Sequence, residues 1–147
     1  MRIDGGWYAC DDGILRPVIR GEILAANGFW EPALFLVDTG ADRTVFSAAI
    51  LEVLDFLPTP TQKNLGGVGG IAESVTISTR IRFERDGRGK AVFRGEYAAF
   101  TQFETLDICV LGRDILEFFA VIVDRPRDVV SLLGQRHTYS IEEQNVG

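Results

Sequence analysis

The residue best suited to chemistry is Asp38, within Leu36-Val37-Asp38-Thr39-Gly40-Ala41-Asp42. Its carboxylate directly follows an apolar run, so it needs hydrogen bonds or a partner to hold a charge there. Thr39 offers a hydroxyl to a neighbour, and Gly40 lets another backbone approach closely. A carboxylate so placed can give or take a proton. Taken alone, the triplet is also an ordinary strand-ending turn, because Asp and Gly favour turns. Two further stretches accompany it. Val110-Leu111-Gly112-Arg113-Asp114 joins an apolar run to a charged pair, and Gly66-Gly67-Val68-Gly69-Gly70 concentrates glycine between strand-like flanks. The glycine run reads either as a mobile cover over a site or as a plain flexible loop.

The scarce residue types narrow the chemistry. The chain has one histidine, His137, and two cysteines, Cys10 and Cys109. Three soft ligands do not make a four-ligand structural zinc site, so no metal and no cofactor is expected. A Ser-His-Asp triad would need His137, which stands in a polar stretch near the end of the chain, a poor mount for a rigid base. Cys109, inside Ile108-Cys109-Val110-Leu111, reads as a small buried hydrophobe, whereas Cys10 reads as open to solvent. Any catalysis is therefore expected to rest on carboxylates.

The elements that would position these groups come next. At 147 residues the chain suits one domain with a core of its own. Apolar residues make up 46% and charged residues 24%, which argues against disorder. Fifteen Lys and Arg against 21 Asp and Glu leave a net charge of −6, unsuited to a general nucleic-acid or anionic-membrane surface. No apolar run is long enough to span a bilayer, and Met1-Arg2-Ile3-Asp4-Gly5-Gly6 carries no signal-peptide core. The expectation is a soluble chain in the reducing cytoplasm.

Alternation over Leu15 to Ala25 predicts a half-buried strand, and Asn27-Gly28 predicts a hairpin turn after it. Ala33 to Val37 is apolar throughout and predicts a strand buried on both faces. Ser47 is a candidate cap for a short helix over 48–54, closed by Pro58 and Pro60. Val75 to Glu84 alternates strictly, and Asp86-Gly87-Arg88-Gly89 turns the chain into a partner strand over 91–100. Strand 106–111, a short helix over 115–120 and a hairpin of 121–124 with 129–133 complete the pattern. The segment from Met1 to Leu15, with Trp7 and Tyr8, stands open as an interface strand, a strap or a disordered end.

In order and spacing, Leu36-Val37-Asp38-Thr39-Gly40-Ala41, Gly67-Val68-Gly69 and Val110-Leu111-Gly112-Arg113-Asp114-Ile115-Leu116 resemble the retropepsin-like aspartic proteases. The extra hairpin after the short helix looks closer to the retropepsin domain of DNA-damage-inducible ubiquitin-shuttle proteins than to the retroviral enzymes. The resemblance implies a mostly-β, single-domain acid-protease barrel with one or two short helices, half of a two-fold dimer. It divides the chain into an N-terminal extension (1–14), the protease domain (15–134) and a polar tail (135–147). It implies a homodimeric aspartic endopeptidase acting on peptide or protein substrates, with no nucleic acid and no membrane as partner. Asp38 is then the catalytic residue, paired with its counterpart in a second chain. Thr39, Gly40, Ala41, Asp42 and Arg113 support the site, with Asp42 and Arg113 as an ion pair, and Gly66, Gly67, Val68, Gly69 and Gly70 form the flap. Two alternatives stand beside this: an inactive retropepsin-fold module for dimerisation or peptide binding, and an unrelated β-rich ligand-binding protein.

Overall fold

Side-chain alternation and turn residues account for most of the elements. The computed structural model describes residues 1–56, 59–60, 65–67, 70–72, 74–104, 106–134 and 144. Two short strands, β1 (Arg2–Asp4) and β2 (Gly6–Ala9), precede β3 (Leu15–Leu24) and β4 (Trp30–Val37). The β3–β4 turn falls at Asn27-Gly28, where the Asn27 side chain accepts the Phe29 N–H at 3.0 Å. After β5 (Val45–Phe46), Ser47 caps α1 (Ala48–Leu54) by accepting the Ile50 N–H at 3.3 Å. Asp55, at φ 54°, ends that helix in the left-handed region. There follow β6 (Thr59–Pro60), β7 (Leu65–Gly67), β8 (Gly70–Ala72), β9 (Ser74–Arg85), β10 (Gly89–Phe100), β11 (Cys109–Leu111), α2 (Arg113–Leu116), β12 (Ala120–Asp124) and β13 (Val129–Leu133). Pro58 and His137 lie outside the described residues, as does most of the expected polar tail.

Six strands close into a barrel in the order β3-β4-β11-β5-β10-β9, with β9 returning to β3 through Gly21↔Phe83, Glu22↔Arg82 and Ile23↔Ile81. The β4–β11 and β5–β10 pairs are parallel, and the long β9–β10 hairpin is antiparallel. β9 keeps the predicted alternation, with Val75, Ile77, Thr79, Ile81 and Phe83 buried and Ser78, Arg80 and Glu84 exposed. Inside, Phe35 meets Phe83 and Phe46 edge to face, with ring centroids 5.4 and 6.4 Å apart. Such pairs add to the area they bury. β2 extends the barrel sheet beside β3, while β1, β13 and β12 form a separate three-stranded sheet. The opening segment is thereby tied into both sheets, through Ile3↔Leu132 and Trp7↔Pro17.

Four details differ from expectation. β4 buries only one face, that of Ala33, Phe35 and Val37, and starts earlier, at Trp30. Leu34 and Leu36 are half-buried, and Leu34 lines a cleft of about 290 Å³ with Ile50, Leu106 and Ile108. The second helix runs over Arg113–Leu116 and not 115–120. Its last turn tightens through Phe118 N–H to Ile115 and Phe119 N–H to Leu116, which frees Ala120 to enter β12. The strand expected over 106–111 is confined to Cys109–Leu111, the span that β4 and β5 can pair. Cys10 is buried, with its thiol 3.8 Å from the Tyr8 carbonyl. Among the described residues no helix is long and apolar enough to cross a membrane.

Candidate active site

β4 delivers the chain to Asp38 in the middle of the barrel wall, and its parallel neighbour β11 anchors it there. The Asp38 N–H donates to the Leu111 carbonyl at 3.1 Å, which continues the ladder one residue past β4. The chain then turns sharply, with the Ala41 N–H donating to the Asp38 carbonyl at 3.2 Å. The Gly40 N–H donates to Asp38 Oδ1 at 2.9 Å, so one carboxylate oxygen is held by the backbone of its own loop. A Cβ on Gly40 would stand 3.2 Å from that same oxygen. Asp38 is half-buried, and Thr39 and Gly40 are exposed. The Thr39 hydroxyl has no partner among the described residues.

The end of β11 grips this loop from below. Arg113 N–H donates to the Ala41 carbonyl at 2.8 Å and Asp114 N–H to the Asp42 carbonyl at 3.3 Å. The Arg113 guanidinium pairs with the Asp42 carboxylate, as the sequence suggested, in an exposed setting. Gly112 has no room for a side chain, because a Cβ would meet the Arg43 carbonyl carbon at 2.3 Å.

Two residues to which the sequence reading assigned no role complete the clamp. Thr44 is fully buried, and its hydroxyl donates to Asp114 Oδ1 at 2.7 Å while accepting the Gly112 N–H at 3.1 Å. The Thr44 N–H donates to both Asp114 oxygens at 3.0 Å, and the Ile115 N–H adds a third donor at 3.0 Å. Asp114 thus joins the loop after Asp38 to the start of α2. The available signal was a Thr two residues past Asp42 and an Asp beside Arg113, an acceptor and donors that need one another once buried.

Burial pushes the Cys109 thiol up to about 11, so it stays protonated beside Ser47 and inert as a nucleophile. Burial, and then the charge of Asp114, push the Tyr97 hydroxyl up to about 12. Among the described residues no group of three or more His, Cys, Asp or Glu is placed to hold a metal ion. Of the glycine run, Gly66, Gly67 and Gly70 lie in the β7–β8 hairpin, with Gly67↔Gly70 its innermost pair. Val68 and Gly69 lie outside the described residues.

A family model described as retroviral aspartyl protease matches residues 14–123, which takes in the whole barrel, the Asp38 loop and the clamp. The chain belongs to that family. Its fold is similar to that of a retropepsin-like aspartic protease from Rickettsia conorii, with a TM-score of 0.57 and 22% identity over 90% of this chain and 89% of that one. The EIAV protease complexed with the inhibitor HBY-793 is also similar, at 29% identity over 69% of this chain and 86% of that one, with a TM-score of 0.49. Comparison with curated proteins finds no match.

Proposed function

We propose that this retropepsin-family chain is one half of a homodimeric aspartic endopeptidase in which Asp38 of each copy supplies a catalytic carboxylate. The observation that carries the reading is the Asp38-Thr39-Gly40 loop, held through its backbone by Leu111 and Arg113 while the Asp38 side chain stays half open to solvent. Two carboxylates about 3 Å apart cannot both ionise, so the pair keeps one proton. The ionised member takes a proton from water as that water attacks the peptide carbonyl, and the protonated member donates to the carbonyl oxygen. Collapse of the tetrahedral intermediate then breaks the C–N bond, with the proton passing to the leaving amine. Apparent pKa values belong to the pair and not to one residue.

The remaining residues take supporting roles in this reading. The Thr39 hydroxyl, without a partner among the described residues, bonds across the two-fold axis, and Gly40 leaves space for substrate backbone. Ala41 and Asp42 carry the loop that Arg113 braces. The β7–β8 hairpin, with Gly66 to Gly70, acts as the flap that closes over an extended peptide and adds main-chain hydrogen bonds to it. Two free cysteines, both buried, suit a reducing compartment such as the cytoplasm. The hairpin after the short helix keeps the ubiquitin-shuttle retropepsin domains as the nearer analogy.

The test is cleavage of a mixed peptide library, read by mass spectrometry from acidic to neutral pH, for the protein and its Asp38→Asn variant. The expected result is a bell-shaped profile centred below neutrality that vanishes in the variant. Equal cleavage by both proteins would sink the assignment. No cleavage by either, from folded protein, would favour a binding module that keeps the fold without the activity.

A further inference from the structure

We infer that the cleft beside Leu34 is a second binding pocket, which takes a lysine or arginine side chain of the peptide about four residues from the bond at Asp38. The inference rests on the reading of Asp38 as the point of attack, and it names a substrate class for that site: peptides with a basic residue at a distance from the cleaved bond. Leu34, Leu36 and Asp38 occupy alternate positions along one line of chain, with Asp38 continuing the β4 ladder through its bond to Leu111. Alternate residues of a strand share a face. Leu36 lies beside its register partner Val110, and both are half-buried. A half-open apolar track therefore runs from Asp38 back to Leu34. An extended peptide laid along it covers the same stretch, about 13 Å, with four of its own residues.

The cleft at the end of this track is small and of two characters. Its volume of about 290 Å³ is at the low end for ligand pockets, which suits one long side chain better than a whole molecule. Leu34, Ile50, Leu106 and Ile108 give it an apolar wall, and Asp11 and Asp107 line it beside them. Asp11 comes from the turn between β2 and β3, and Asp107 from the segment just ahead of β11. Both acids are exposed, and neither is paired with a Lys or Arg among the described residues. Their neighbour Asp12 differs, since Arg16 holds it at 2.8 and 2.7 Å. Arg20, whose guanidinium stands 5.9 Å over the Tyr8 ring, lines the adjoining cleft and not this one.

Charge complementarity selects the occupant. A lysine or arginine lays its methylene stem along apolar surface and keeps its charged head in polar surroundings. Aliphatic side chains beside two unpaired carboxylates offer both at once. A purely apolar side chain would gain nothing from the acids, and an acidic one would be repelled by them. The net charge of −6 also draws basic peptides towards the chain from a distance.

The experiment titrates the protein with a capped hexapeptide carrying one lysine, and with its norleucine twin, while the amide NMR signals of Asp11, Ile50, Asp107 and Ile108 are followed. The lysine peptide is expected to shift those signals and to bind about fivefold more tightly than its twin, the scale of two exposed charge contacts. An Asp11→Asn/Asp107→Asn double variant changes only exposed side chains, so the fold should tolerate it. It should bring the two peptides level, as should high salt. A norleucine peptide that binds as tightly as the lysine one would overturn the inference and leave an apolar pocket only. Signals that move elsewhere, or that stay still with peptide in the millimolar range, would overturn it too. So would a lysine preference unchanged in the double variant. Cleavage supplies the second measurement. With a lysine walked through successive positions, kcat/KM should peak about four residues from the cleaved bond, and the double variant should flatten that peak. The two readings fail separately. Lysine-selective binding in the cleft without cleavage of any peptide keeps the pocket and removes the enzyme. Cleavage that is lost in Asp38→Asn but indifferent to lysine at every position keeps the enzyme and removes the pocket.

Discussion

Two clusters of Asp and Arg, one at the start of α2 and one in the β12–β13 turn, look alike in sequence. Asp42-Arg43-Thr44 with Arg113-Asp114 makes one, and Asp124-Arg125-Pro126-Arg127-Asp128 makes the other. The hydrogen bonds of the second all span three residues at the surface, and only Arg125 reaches beyond the turn, over the Trp7 ring. The first spans about seventy residues and buries Thr44 completely, so its bonds exist only when the barrel has formed. Exposed ion pairs near one another in sequence contribute little, because solvent screens them and the unfolded chain retains much of the contact. The fully buried Thr44 hydroxyl is different, since removing it leaves the buried Gly112 N–H without its acceptor.

The comparison breaks most sharply at Thr44. Thr44→Val keeps the shape but removes the hydroxyl, leaving Asp114 short of a donor and the Gly112 N–H without its acceptor. Unfolding in urea should show a loss of about 1–3 kcal/mol, with cleavage falling alongside as the Asp38 loop loosens. An unchanged urea midpoint would mean that the clamp contributes nothing the barrel does not already supply.

An intermediate case lies on the barrel seam, where Glu22 faces Arg82 between β3 and β9. Hydrogen bonds from Arg82, and then the charges of Arg82 and Lys90, hold the Glu22 carboxyl below its ordinary range. A lowered folded-state value means that the stabilisation is present above the unfolded value and is lost as pH falls through the folded one. Thermal melts in acid should therefore fall more steeply for wild type than for Glu22→Gln. Parallel curves would remove the seam pair from the account.

Arg127→Ala, in the exposed turn cluster, should change stability by no more than about 0.5 kcal/mol by the same urea measurement. A loss as large as that of Thr44→Val would erase the distinction between the two clusters.

Much of the molecule was legible because period and turn chemistry are local. The β9 alternation, the Asn27-Gly28 turn and the Ser47 cap follow from neighbouring residues alone, and all three stand in the fold. The Asp42–Arg113 pair was legible for another reason, a resemblance that joined two distant stretches. Thr44 and Asp114 were not legible, because a threonine beside a charged residue reads as surface until another segment buries it. The half-exposure of Leu34 and Leu36 escaped similarly: an apolar run shows that burial is available, not which faces receive it.

The sequence by itself therefore determined the strands, the turns and the presence of a lone Asp-Thr-Gly loop, since each depends on side-chain period and backbone preference over a few residues. Only the tertiary structure decided which oxygens receive the N–H groups of Gly112 to Asp114, that Thr44 is buried beside one of two similar charge clusters, and that β12 has no strand partner on its outer edge among the described residues. Those outcomes depend on closing the barrel, which brings residues some seventy positions apart into hydrogen-bond range and buries Thr44 between them.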